Sequence, residues 1–252
     1  MNLKTGIIRS RETIWLYRNW PKVFLCYFGL LRNPEVIYIL RNGIIFMAAS
    51  NDSEAIAAIN DVWARKVYTR RGDDIQKTST IIDIGAHIGS FSIFAATRAM
   101  QVKVYSYEPS EKNFHFLSEN IKANKLVNIK AFQLAISSRR GKVRLYMNEK
   151  SSGNSIYKSG CSFDEVNSIT LEDILGNNMI DSCDLLKIDC EGAEYEILLG
   201  APKIILRKIR NIALEYHEIP AYNIDDLKNY LENSGFEVLL ARQPILYAKN
   251  LT

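Results

Sequence analysis

The chain is poor in the residues that would place it in a simple class. Its 252 residues include only four cysteines, three histidines and six prolines. Cys26, Cys161, Cys183 and Cys190 form no C-x-x-C pair, and no secretory signal precedes them. Reduced thiols in a cytoplasmic protein are therefore expected. No H-x-x-x-H or D-x-D spacing occurs, so no metal site is expected. The most hydrophobic N-terminal run, Val23 to Leu31, is far shorter than the roughly 20 residues that span a bilayer, so no transmembrane segment is expected. Charge of one sign is scarce too. The net charge is +4, with 11 Lys+Arg against 7 Asp+Glu in residues 1–75 and 21 of each thereafter. So small a surplus reads as a solvated basic surface, and a nucleic-acid partner is not expected.

What is present is ordinary globular composition, 47% hydrophobic and 24% charged. Residues 1–75 read as an α/β extension and 76–252 as the main domain. Residues 1–33 look helical. Within them Trp15 to Leu31 reads as an amphipathic helix broken by Pro21. Trp15, Tyr17, Arg18, Trp20 and Lys22 mix aromatics with cations, a membrane-surface composition, although packing on the core is the favoured reading. Val36 to Met47 is a hairpin around Asn42-Gly43, expected to turn as type I′ with both residues at positive φ. A helix starts after Asn51 or Asp52, with Ile56, Ile59, Val62 and Trp63 at helical spacing. Val67 to Asp74 reads as a polar connector.

From Thr78 apolar strands at 80–84, 102–107, 128–134, 184–189 and 211–216 alternate with helices such as 112–124. That order implies a doubly wound parallel sheet. The last two strands are separated by three residues, too few for a crossover, so they must pair antiparallel. Lys142 to Met147 adds one strand, and 148–167 reads as a loop.

Ligands of such sheets bind at the carboxyl ends of the strands. The first strand ends on Asp83 and the turn Gly85-Ala86-His87-Ile88-Gly89. The second ends on Glu108-Pro109, where a carboxylate can accept both hydroxyls of a ribose. The third ends near Ala135-Ile136. The fourth ends on Asp189-Cys190-Glu191-Gly192-Ala193-Glu194, and the fifth on Glu215-Tyr216-His217. A dinucleotide fold needs a third glycine in its turn, and a P-loop needs Gly-Lys-Ser/Thr. Both are absent.

Ile82-Asp83-Ile84-Gly85-Ala86-His87-Ile88-Gly89, Tyr107-Glu108-Pro109, Thr170-Leu171-Glu172-Asp173, Leu186 to Glu194 and Leu214-Glu215-Tyr216-His217 together resemble the FkbM family of methyltransferases. The resemblance covers about residues 78–218. It implies a class I, Rossmann-like sheet of about seven strands with the terminal strand antiparallel. It also implies S-adenosylmethionine as cofactor and methylation of a hydroxyl on a small molecule, sugar or glycan. A homo-oligomer is compatible with it. His87 departs from the family's usual Asn.

On this reading Asp83, Gly85, His87, Gly89, Glu108, Pro109, Ala135, Asp189 and Glu191 bind the cofactor. His217 is the candidate base, with Asp189 and Glu215 beside it. Several of these residues have structural alternatives. Asp83 and Asp189 could cap helices. Glu191 and Glu194 could complement a helix dipole, and Ala135 and Ile136 could be core. An RNA methyltransferase and a non-catalytic S-adenosylmethionine-binding partner module are the competing functions.

Overall fold

The computed structural model describes residues 11–31, 33–50, 52–69, 75–146, 162–241 and 244–252. The N-terminal part holds α1 (Trp20–Tyr27), the hairpin β1 (Glu35–Ile39) and β2 (Ile45–Ala49), and α2 (Ser53–Asn60), which runs into a π-helical turn, Asp61–Arg65. Then follow β3 (Thr80–Ile84), α3 (Ser90–Ala96), β4 (Lys103–Tyr107), α4 (Glu111–Ala123) and β5 (Ile129–Phe132). Next come β6 (Ala135–Ile136), β7 (Gly141–Tyr146), β8 (Phe163–Ile169) and α5 (Leu171–Asn177). The chain ends with β9 (Leu185–Ile188), α6 (Glu194–Leu199), α7 (Lys203–Leu206), β10 (Asn211–Glu215), α8 (Ile224–Glu232), β11 (Phe236–Leu240) and β12 (Ile245–Asn250).

The main sheet has seven strands in the order β11-β12-β10-β9-β3-β4-β5. β12 runs antiparallel to both neighbours, and the β10-β9-β3-β4-β5 pairings are parallel. The fold is therefore the expected Rossmann-like one. Strand residues alternate between two cores, as the pleat dictates. Ile81, Val104, Leu185 and Ala213 face the N-terminal elements and α3. Ile82, Leu186, Ile188 and Leu214 face α5, α6, α7 and α8.

Residues of the N-terminal extension sit in one continuous core with the sheet. Polar side chains fix the contact. Asn120 and Asn124, one turn apart on α4, pair with β2 as a strand would. Asn120 accepts from Met47 N–H at 2.6 Å and donates to its carbonyl at 3.0 Å. Asn124 does the same for Ile45 at 2.9 and 2.7 Å. These bonds occupy backbone groups of β2 that its hairpin partner leaves open.

Four local expectations need correction. The hairpin turn is not type I′, because only Gly43 has positive φ, at 91°. Gly43 N–H bonds Leu40 O at 3.0 Å and Leu40 N–H bonds Ile44 O at 2.8 Å, which makes a three-residue loop closed by a glycine at positive φ. The helical stretch is interrupted, but at Tyr17 to Asn19 between helical residues 11–16 and α1, where Tyr17 bridges to Leu40; Pro21 itself sits in the first turn of α1, where its missing N–H costs nothing. The stretch 148–167 is not all loop, since its end forms β8, which pairs with β6 and β7 in a separate three-stranded sheet. The rest of that stretch, up to residue 161, lies outside the described residues. Finally, residues 14–30 are only half packed. Leu16, Tyr17, Val23 and Cys26 are buried while Trp15, Trp20, Phe28 and Leu30 are exposed.

Candidate active site

The site is built on the Gly turn between β3 and α3. Gly85 has φ +75°, and a Cβ there would stand 1.8 Å from the Asp189 carbonyl oxygen. Only glycine lets the end of β9 come this close. His87 also has positive φ, 51°. Histidine, like Asn and Asp, adopts that conformation more readily than most residues. His87 N–H donates to Glu108 Oε2 at 2.8 Å, and Nε2 stands 3.6 Å from Asp52 Oδ2.

Glu108 is buried at the end of β4. Its Oε1 accepts from Ser110 N–H at 3.0 Å and Asn113 Nδ2 at 3.4 Å. Burial pushes its pKa up, against the pull of His87 and of these donors. Three donors leave part of the carboxylate's acceptor capacity unused, and Glu108 lines the cavity with Pro109 and Asn113.

Beneath the turn lies an ion pair that sequence reasoning missed. Lys187, in the middle of β9, is 3% exposed. Its Nζ donates to Gly85 O at 2.7 Å and lies 3.1 Å from Asp83 Oδ1 and 3.8 Å from Asp189 Oδ2. Burial alone would lower its pKa, but Asp83 and Asp189 outweigh it and the net shift is upward. Asp83 is fully buried and accepts from Ser92 Oγ at 2.5 Å. It braces the turn from below, does not line the cavity and does not cap α3, whose N-cap is Gly89. The signal was legible. A lysine inside Leu-Leu-Lys-Ile must find a counter-ion if the strand is central.

At the ends of β9 and β10, Asp189 and Glu215 share one partner. Tyr68 Oη lies 2.9 Å from Asp189 Oδ2 and 3.1 Å from Glu215 Oε2. Tyr68 comes from the segment read as a polar connector. It is buried, with its ring edge-on to Phe91 at 5.6 Å and Lys187 Nζ 5.2 Å from its face. Tyr247 Oη holds this segment by donating to Val67 O at 2.5 Å. Burial first, then repulsion from Asp189, raises the Glu215 pKa to about 7.

His217 is separately engaged. Its N–H donates to Glu194 Oε1 at 2.7 Å, and its Nδ1 is 3.1 Å from the same atom. Nε2 is 3.7 Å from Glu191 Oε2. Burial would lower its pKa, but the Glu194 hydrogen bond, with the charges of Glu194, Glu191 and Asp189, raises it to about 9. The raised value favours the protonated ring, which makes His217 a weaker proton acceptor than its unperturbed value suggests. At neutral pH His217 is an imidazolium with no site for a proton. Nor does it line the cavity, which Glu215 does. Glu194 is fully buried and also accepts from Gly192 N–H at 2.8 Å, so it organises the loop after β9.

The cavity these groups enclose measures about 210 Å³. Gly85, Ala86, His87, Glu108, Asp189 and Glu191 face it, and Leu134, Ala135, Ile136 and Leu145 form an apolar slot on one side. Glu54, Ala57, Ala58, Asp61 and Val62 from the N-terminal extension close the other.

Residues 83–238 match the methyltransferase FkbM domain. The chain belongs to the FkbM methyltransferase family. The 31-O-demethyl-FK506 methyltransferase FkbM of Streptomyces tacrolimicus is 22% identical over 84% of this chain and 93% of its own length. AMB antimetabolite synthetase AmbE of Pseudomonas aeruginosa is 24% identical over 79% of this chain, but the match spans only 11% of that protein. Among solved structures, M. jannaschii TYW2 in complex with AdoMet has a TM-score of 0.50 at 17% identity, covering 87% of this chain and 86% of its own. That likeness shows the shared fold.

As an FkbM methyltransferase the chain uses S-adenosylmethionine. The site is chemically suited to it. A buried carboxylate ends β4, an apolar slot lies beyond it, and a backbone turn stripped of Cβ at Gly85 meets the end of β9. Gly89 is not on the cavity wall, because as N-cap of α3 it packs against Leu117 instead, where a Cβ would lie 2.6 Å from Cδ1. No helix among the described residues is long and apolar enough to cross a membrane.

Proposed function

We propose that this FkbM methyltransferase acts on a hydroxyl of a small molecule, sugar or glycan, with Glu215 as the base. In this reading Glu108 and Pro109 hold the ribose, and Ala135 and Ile136 flank the adenine. Gly85, Ala86, His87, Asp189 and Glu191 surround the methionine moiety. When bound, the cofactor supplies an electrophilic methyl group on a sulfonium. The chain must then position the acceptor and take up the hydroxyl proton.

The observation that carries the reading is Tyr68 between two carboxylates. A phenol has one hydrogen, and it serves one carboxylate. A proton held by the second carboxyl would answer the remaining contact, 3.1 Å from Tyr68 Oη to Glu215 Oε2. Glu215, with its pKa near 7, is the partner that gains and loses it. A base poised at the working pH is what hydroxyl activation needs. Lys187 Nζ stands 3.8 Å from Asp189 Oδ2, and the His217 imidazolium offsets the local negative charge.

Residues 1–75 form, on this view, a layer over the acceptor side of the transferase domain, 76–252. Among the described residues Glu54, Asp61, Glu108, Asp189, Glu191 and Glu215 face the cavity against only Lys187 and His87, which disfavours RNA. The printed name of the Streptomyces relative, a 31-O-demethyl-FK506 methyltransferase, is in keeping with an oxygen acceptor. Incubation with methyl-labelled cofactor and a fractionated cell extract tests the reading. Label is expected in a small-molecule or glycan fraction, on an ether-linked methyl. Label in RNA would overturn it.

A further inference from the structure

Helix α1 is apolar on both sides. Val23 and Cys26 turn into the core. The opposite side carries an aromatic ridge, Trp20, Phe24 and Phe28, spaced four residues apart. Ring centroids are 5.8 Å apart for Trp20 and Phe24, and 6.5 Å for Phe24 and Phe28. Lys22 is its single charged residue. A surface helix normally pairs its apolar stripe with a polar face. α8 does so, with Asp225, Asp226, Lys228 and Glu232 beside buried Leu227 and Leu231. α1 does not.

Exposed apolar side chains continue on both sides of the ridge in sequence. Trp15 is 71% exposed, Phe28 65% and Leu30 66%, and Leu25 and Tyr27 are exposed too, with the Tyr27 ring edge-on to Phe28 at 5.6 Å. Elsewhere exposed apolar side chains such as Met100, Val127 and Met179 are scattered singly. Clustering of this kind marks an interaction surface. Its rim is positive. Arg11 and Arg18 are exposed, and Lys22 is half-buried. The single acid among residues 11–31, Glu12, is already taken by Arg65 at 2.8 Å.

We propose that residues 14–30 dock this protein on the surface of a membrane containing anionic lipid. Tryptophan and tyrosine favour the headgroup level, where the ring is buried and its polar edge stays wet. Cations on the rim are drawn to anionic headgroups. The two contributions together give reversible attachment without a spanning helix. A second copy of the chain fits less well. An isologous contact sets the same patch against itself, bringing Arg18 and Lys22 onto their equivalents with no free acid in the segment to answer them.

The test is flotation of the full chain with vesicles of phosphatidylcholine, alone or mixed with phosphatidylglycerol. The protein should float with the anionic vesicles, shift its tryptophan emission to shorter wavelength, and be released by high salt. Replacing Arg18→Glu with Lys22→Glu should weaken partitioning by at least roughly 30-fold, from the loss of two cation contributions. Trp15→Ser with Phe28→Ser should abolish it. Circular dichroism and the melting temperature establish that both variants remain folded, as expected for exposed positions. Failure of the wild-type chain to float, or flotation that neither pair of substitutions changes, would overturn the proposal. So would a dimer abolished by Trp15→Ser with Phe28→Ser, which would assign the face to a second copy.

Discussion

Tyr68 donates to Asp189 Oδ2 at 2.9 Å, across 121 residues of sequence. The donor lies before residue 83, where the FkbM match begins, and the acceptor lies within the match. The cavity-facing end of β9 is thus contacted by a residue supplied by the N-terminal extension. Tyr68→Phe should keep the ring's contacts with Phe91 and retain binding of S-adenosylhomocysteine within about 3-fold by calorimetry. Methyl transfer should fall roughly 10- to 100-fold, as for loss of an assisting acid–base group. An altered pH–rate profile would separate this role from mere packing.

Glu215→Gln should separate activity from stability. The folded pKa, about 7, lies above the ordinary value of 4.5, so the folded chain holds this proton more tightly than the unfolded chain. The resulting stabilisation is fully present below about pH 4.5 and is lost as pH rises through 7. Gln, always neutral, avoids that loss. The variant should melt above wild type at pH 8, with the gap closing towards pH 5, and transfer no methyl group. Thermal melts across this range check the sign.

Lys187→Met should destabilise the fold by about 3–5 kcal/mol, because it leaves Asp83 buried without its counter-ion. Lys187→Met with Asp83→Asn should recover a large part of that loss. Urea denaturation of the three variants and wild type measures the coupling. Equal stability of the single and double variants would show that the pair does not matter.

Glu108→Ala should abolish S-adenosylhomocysteine binding while leaving the chain folded. The carboxylate's donors, His87 N–H, Ser110 N–H and Asn113, then lose their acceptor, so a stability loss of about 1–3 kcal/mol should accompany it. Calorimetric titration decides the matter. Unchanged affinity would remove Glu108 from the ribose.

Much of this was legible from residue order. Apolar runs ending in Asp83, Glu108, Asp189 and Glu215 located the sheet and the edge on which the cavity opens. Four residues between β11 and β12 were too few for anything but an antiparallel pair. Tyr68 was illegible, because nothing local distinguishes a tyrosine in a polar connector from one on the surface. β8 was hidden for a similar reason. Phe163 to Ile169 alternates weakly, and what makes it a strand is pairing with β7 and β6.

His217 shows the limit most clearly. The strand-end position of a histidine could be read from sequence, and its chemistry could not. A pKa follows from which charges surround the ring, and Glu194 and Glu191 reach it only after β9 and β10 are laid side by side. Residue pattern by itself determined the sheet, the Gly turn and the family, because those rest on periodicity and local spacing. Tertiary structure decided that the Glu215 carboxyl and the His217 imidazole are both pushed above their ordinary values, because burial and Coulomb interactions depend on distances that only the folded chain sets.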